Sequence, residues 1–134
     1  MNDEINETTI TVNANDEQFV AFSSIEIFHE GRIHKISGDS LPFSVGRDAD
    51  KCDLAINDNL VSREHFVLKL RDGLLGLEDK STNGTWVQLG RAEAVQIKNG
   101  FLPLVGSGLI QVGCEINSNQ QLQMHFKVFQ RHVD

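Results

Sequence analysis

Residues 44–88 read SVGRDADKCDLAINDNLVSREHFVLKLRDGLLGLEDKSTNGTWVQ. Apolar runs of strand length alternate here with dense turn signals. Phe66, Leu68 and Leu70 point to one face and Val67 and Lys69 to the other, the period of two expected of a half-buried strand. Arg71-Asp72-Gly73 is a hairpin turn, since Asp-Gly supplies the backbone conformation that tight hairpins need. Leu74 to Glu78 returns. Phe43 to Gly46, after Pro42, and Asp53 to Ile56 read as short strands, as does Thr85 to Gln88.

The same pattern continues outward. Ile25, Ile27 and the stretch from Arg32 to Ile36 alternate around a Glu30-Gly31 turn. Ala92 to Ile97 reads either as a strand or as a helical turn. Phe101 to Val105 and Leu109 to Val112 read as strands separated by Gly106-Ser107-Gly108. Leu122, Met124, Phe126 and Val128 alternate with Gln123, His125, Lys127 and Phe129, the clearest strand in the chain. From residue 25 onward no 3.6-residue period is sustained, and turn signals recur about every 8–12 residues, as in an all-β sandwich. The expected fold is an all-β, two-sheet antiparallel β-sandwich over residues 21–134. Residues 1–20 are polar and lack a lasting period, and they read as a mobile leader.

The chain has 134 residues, 40% of them hydrophobic, enough for one domain with a core. No apolar run is long enough to span a bilayer. The acidic start, MNDEINETTITVNANDEQ, lacks the basic and apolar segments of a secretory signal, so a cytoplasmic protein is expected. The net charge of −7 argues against a nucleic-acid partner, whose phosphates require many Lys and Arg. A local basic patch still acts over about 8–10 Å, and Arg32, Arg47, Lys51, Arg63 and Lys80 are available for one. Cys52 and Cys114 have no metal-ligand spacing and read as two buried, reduced thiols. Neither a metal nor a cofactor is expected.

Three fragments carry chemistry. Arg47 follows Gly46 at a strand end, and its planar guanidinium can fork two phosphate oxygens. Ser62 lies in a turn where its hydroxyl and neighbouring backbone N–H groups can donate to a phosphate, with Arg63 as a second cation. His65 opens a strand and reads as a loop-holding group working through ring-nitrogen hydrogen bonds. In Ser81-Thr82-Asn83-Gly84-Thr85, Gly84 allows positive φ, Thr82 can donate to phosphate, and Asn83 can grip a peptide backbone of any sequence. Strand ends near 46, 62 and 82 are able to converge, because loops at one end of a sandwich cluster. Together the fragments point to a reader of phosphorylated peptides.

The order Gly46-Arg47, then Ser62-Arg63-Glu64-His65, then Leu77-Glu78-Asp79-Lys80-Ser81-Thr82-Asn83-Gly84-Thr85 resembles the forkhead-associated (FHA) domain. The intervening Asp53-Leu54-Ala55-Ile56-Asn57-Asp58 also looks like that family. The resemblance spans about residues 24 to 130. It implies an FHA/SMAD-like sandwich whose loops at one end bind phosphothreonine peptides. By position, Arg47, Ser62, Arg63 and Thr82 would face the phosphate and Asn83 the peptide backbone. Gly46, His65 and Gly84 would support the loops. The family generally prefers phosphothreonine to phosphoserine and reads the side chain three residues beyond it. The expected partner is a phosphothreonine-containing protein, itself a Ser/Thr kinase or a kinase substrate. No membrane partner is expected. The Leu102-Pro103-Leu104 to Leu109-Ile110 segment resembles FHA domains of bacterial signalling proteins, whereas Gln88-Leu89-Gly90 departs from the Asn-Gly turn common in the family.

Catalysis is not expected, since no G-x-S-x-G elbow, HExxH, P-loop or G-x-G-x-x-G accompanies Ser62 and His65. A phosphate-independent adaptor is the main alternative. A further one is self-inhibition: Thr8, Thr9 and Thr11 in the leader are candidate phosphorylation sites, resembling the phosphorylated tails of some bacterial FHA proteins. At high effective concentration such a tail would occupy its own site.

Overall fold

The computed structural model describes residues 19–133. The expected leader lies outside the described residues, with Thr8, Thr9 and Thr11, except that Phe19 and Val20 already open the first strand. In chain order the strands are β1 (Phe19–His29), β2 (Arg32–Ser37), β3 (Phe43–Gly46), β4 (Leu54–Ala55), β5 (Phe66–Arg71), β6 (Leu74–Asp79), β7 (Thr85–Leu89), β8 (Val95–Ile97), β9 (Phe101–Pro103), β10 (Ser107–Val112) and β11 (Gln123–Val133). Helical structure among the described residues is confined to single 3-10 turns at Gly38–Ser40 and Gln120–Leu122.

Two sheets form. One has six strands in the order β2-β1-β11-β10-β7-β8, the other five in the order β4-β3-β5-β6-β9. All pairings are antiparallel except β3 with β4, where Val45 faces Leu54 in parallel register. That exception follows from connectivity, because β4 returns along β3 after a loop and does not form a hairpin. The hairpin turns sit where the sequence marks them: Glu30 and Gly31 have φ of 48° and 80°, and Asp72 and Gly73 have φ of 52° and 80°.

The alternation of each strand sends one set of side chains between the sheets. Ile25, Ile27, Ile36, Val87, Ile110, Val112, Met124 and Phe126 come from the six-stranded sheet; Val45, Leu54, Phe66, Leu68, Leu75 and Leu77 come from the five-stranded one, all buried. Burial of a large aliphatic or aromatic side chain contributes about 1.5–3 kcal/mol, so this layer dominates the folding energy.

Local expectations need resolving or revising in five places. The open reading of Ala92–Ile97 resolves as strand β8, which pairs Val95 with Val87 on β7. The strand expected to end at Val105 stops at Pro103, because Leu104 turns into the core. Ser107 and Gly108 do not separate strands; they open β10, with Ser107 facing Lys127 and Gly108 facing Phe126. Leu70 has the parity of Phe66 and Leu68 but is 44% exposed. Pairing of β3 with β5 runs only from Phe43–Leu68 to Val45–Phe66, so Leu70 projects beyond the covered part of the sheet. Both cysteines are free, as expected, but half-buried instead of buried.

Candidate anion-binding site

Three loops meet at one rim: residues 47–53 after β3, 56–65 after β4 and 80–84 after β6. Backbone contacts join the first two. The Arg47 N–H donates to the Ser62 carbonyl at 2.9 Å and the Asp48 N–H to the Arg63 carbonyl at 3.2 Å. Gly46 permits this approach, because a Cβ there would run into the Arg63 carbonyl and the Cys52 sulfur. The second and third loops are joined through a side chain: the Thr82 N–H donates to Ser62 Oγ at 3.0 Å. Asn83 Nδ2 also donates to the Leu60 carbonyl at 3.0 Å. The local backbones of residues 47, 62 and 82 are therefore brought together, although 15 and 20 positions separate them in sequence.

His65 holds the assembly from below. It is fully buried. Its Nδ1 accepts the Ser62 N–H at 3.0 Å, and its Nε2 lies 2.8 Å from the Gly84 carbonyl. Only a neutral ring protonated at Nε2 satisfies both contacts. Burial lowers the His65 pKa below its ordinary value, against smaller raising effects from the Gly84 carbonyl and the Asp79 carboxylate. The Ser62 N–H is thus occupied and is not itself available to an anion. The hydroxyl retains its own proton, because Oγ acts toward Thr82 as an acceptor.

The turn 80–84 hangs on Asp79, which is 2% exposed. Its carboxylate accepts from Ser81 N–H (3.1 Å), Ser81 Oγ (2.7 Å), Thr85 Oγ1 (2.7 Å) and Asn99 N–H (3.0 Å). Ser81 Oγ in turn accepts the Gly84 N–H at 2.7 Å. Gly84 has φ of 95°, strained for any residue with a Cβ, and Gln96 closes over it. Sequence reasoning gave Asp79 no role of its own. The Asp-x-Ser spacing at the start of a turn was the available signal, but the Asn99 contact reaches across 20 positions and has no local signature.

Chemically, the rim presents donors beside the exposed acids Asp50, Asp53 and Glu64. Arg63 and Thr82 are exposed and Arg47 and Ser62 half-buried. The described residues hold two ion pairs, Lys69–Glu78 and Arg71–Glu78, and neither involves Arg47 or Arg63. Nearby carboxylates are turned onto their own loops. Asp48 Oδ1 accepts the Asp50 N–H, Asp58 Oδ1 the Leu60 N–H, and Asp53 Oδ2 both the N–H and the hydroxyl of Ser44. Lys51 and Lys80 lie on rim loops, whereas Arg32 opens β2 in the other sheet. Cys52 donates to the Arg63 carbonyl at 3.1 Å, and burial, then the Glu64 charge, raises its thiol pKa, so it is a structural thiol. Among the described residues no cluster of His, Cys, Asp or Glu suits a metal ion, and no helix is long and apolar enough to cross a membrane.

Known proteins share this fold. Residues 43–102 match the FHA domain family model. Among curated proteins no match is significant. Among solved structures, the N-terminal FHA domain of S. cerevisiae Rad53p in complex with a phosphothreonine peptide is 26% identical. The alignment covers 81% of this chain and 94% of that one, with a TM-score of 0.59. An engineered FHA with a Myc-pTBD peptide is 25% identical over 81% and 92% of the two chains, with a TM-score of 0.57. Mycobacterium tuberculosis Rv1747 FHA-1 is 22% identical over 81% and 98%, with a TM-score of 0.57. The family-model match to the FHA domain spans all three rim loops, and the structural neighbours, themselves FHA domains, share the two-sheet architecture.

Proposed function

We propose that this chain is a phosphothreonine-peptide-binding signalling module, without catalytic activity, that docks a partner phosphorylated by a Ser/Thr kinase in the cytoplasm of a bacterial cell. One observation carries the reading. Ser62 is tied to the Arg47 backbone through its carbonyl and to the Thr82 backbone through its hydroxyl oxygen, so a guanidinium and two hydroxyls emerge from one rim. A phosphothreonine brings about −1.5 to −2 charges and three acceptor oxygens, which suit that donor set. The phosphothreonine peptide bound by the Rad53p domain supports the same assignment.

The placement of His65 favours binding over catalysis. A serine nucleophile needs a base within reach of its hydroxyl, yet here the imidazole accepts from the Ser62 amide and donates to Gly84, with both ring nitrogens occupied. The phosphate-independent adaptor is separated by phosphatase treatment of a lysate before capture on the immobilised domain. The proposal expects captured partners to disappear after treatment and to be absent on Arg47→Ala. Partners that survive both would establish the adaptor instead.

A further inference from the structure

β10 carries a buried polar side chain that the rim does not use. Ile110 and Val112 lie in the core, so Gln111 between them faces the other side of the six-stranded sheet. It is nevertheless fully buried, because residues 113–118 fold back over it. Its Nε2 donates to Ser118 Oγ at 2.9 Å and to the Cys114 sulfur at 3.1 Å. Ser118 fixes which way the amide points. Its hydroxyl donates to the Glu115 carbonyl, so its oxygen can only accept from Gln111. Gln111 Oε1 is left over. Among the described residues it is the one buried side-chain nitrogen or oxygen without a hydrogen-bond partner. A buried acceptor with no donor is costly, and in a native fold it calls for a chemical reason.

The neighbouring thiol supplies one. The two cysteines differ in their contacts. Cys52 donates its S–H to the Arg63 carbonyl, whereas the Cys114 sulfur accepts from Gln111 and, among the described residues, donates to nothing. Cys114 is half-buried at the start of a loop whose Glu115, Asn117 and Ser118 are exposed, so a small reagent can reach it. The unpaired oxygen belongs to the amide that already touches this sulfur. An O–H added to the sulfur would be a donor for Oε1, and its oxygen would accept from Nε2. A sulfinate in the same place would offer acceptors only and set them against Oε1. The surroundings therefore suit the first, reversible step of thiol oxidation and oppose the second.

We propose that Cys114 is a site of reversible oxidation to sulfenic acid by a hydroperoxide. The deprotonated sulfur attacks one peroxide oxygen, the S–O bond forms as the O–O bond breaks, and the departing hydroxide takes up the thiol proton as water. Sulfur is oxidised by two electrons and the peroxide is reduced by two. The Gln111 amide then holds the product from both of its ends. The modified residue follows Gly113, whose N–H donates to the Gly84 carbonyl at 3.0 Å, the same carbonyl that faces His65 Nε2. Oxidation thus falls one residue from the frame that supports the rim.

The test treats the full chain with hydrogen peroxide while a cyclic 1,3-diketone traps sulfenic acid, and follows each cysteine by mass spectrometry. Wild type is expected to be trapped at Cys114 at least fivefold faster than at Cys52. Without the trap, Cys114 is expected to stop at one added oxygen that a thiol reductant removes. Gln111→Met removes both ends of the amide at similar length and should bring Cys114 within twofold of Cys52, with Cys52 at its wild-type rate. Ser118→Ala leaves the amide on the sulfur and should keep the preference within twofold of wild type. Equal trapping at the two cysteines of the folded wild type, or a preference that persists in Gln111→Met, overturns the assignment and leaves a bound water as the donor to Oε1. Should Gln111→Met fail to fold, seen as a faster Cys52, wild type in urea decides. The preference is expected to vanish on unfolding, and one that survives in urea overturns the site.

Discussion

Ser62 does two things at once. Its oxygen accepts the Thr82 N–H, and its hydroxyl keeps a proton to donate. Ser62→Ala therefore removes the hydroxyl proposed as a phosphate donor and leaves the Thr82 amide without its partner. Arg47→Ala removes the guanidinium that the proposed function has forking two phosphate oxygens, a geometry lysine does not reproduce. Hydrogen bonds to charged groups contribute on the order of 1.5–3 kcal/mol each. Each alanine variant is thus expected to weaken phosphopeptide binding tenfold or more while the domain stays folded, checked by titration beside circular dichroism. The convergence of these positions was legible because each lies in a turn at a strand end on one side of a sandwich. Asp79 was not legible as a keystone, because its partners come from the turn that follows and from Asn99 beyond β7 and β8.

At the scale of elements, the turn between β6 and β7 is rigid because one buried carboxylate gathers the donors of Ser81, Thr85 and Asn99. Asp79→Ala strands those donors in a buried site. A loss of about 3 kcal/mol or more is expected in urea unfolding, together with weakened binding at a rim that the side chain does not itself form. A loss under 1 kcal/mol would show that the turn is held by other contacts. Most strands were readable from alternation, with β3 found at its observed bounds. The errors cluster in residues 89–108, where tertiary context decides. Pro103 is accepted on β9 because that strand lies at the sheet edge. Gly108 is accepted inside β10 because the Gln88 carbonyl and the Phe126 ring crowd the place of its missing side chain. Leu70 shows the opposite failure: its parity is right, but no strand covers it.

The whole molecule couples its stability to its binding rim through His65. The folded-state pKa of this buried imidazole lies below the ordinary 6.5, which stands for the unfolded chain. Between those two values the unfolded state binds more protons than the folded one, so stability rises with pH across that window. The His65 contribution is complete above about 6.5, falls as pH drops below it, and levels off once pH passes the lower folded value. Urea unfolding at a series of pH values is expected to show that slope in wild type and a shallower one in His65→Gln. Identical slopes would remove His65 as its source. On this scale the net charge of −7 is no obstacle, since screening limits each charge to about 8–10 Å.

Calorimetric titration of the domain with a phosphothreonine peptide and with its unphosphorylated copy tests the central claim most directly. Three or four charge-assisted hydrogen bonds, less ordering costs, predict a Kd in the micromolar range, near −8 kcal/mol, for the phosphorylated form. The unphosphorylated copy is predicted to bind at least ~100-fold more weakly. Equal affinity for the two peptides would contradict the account.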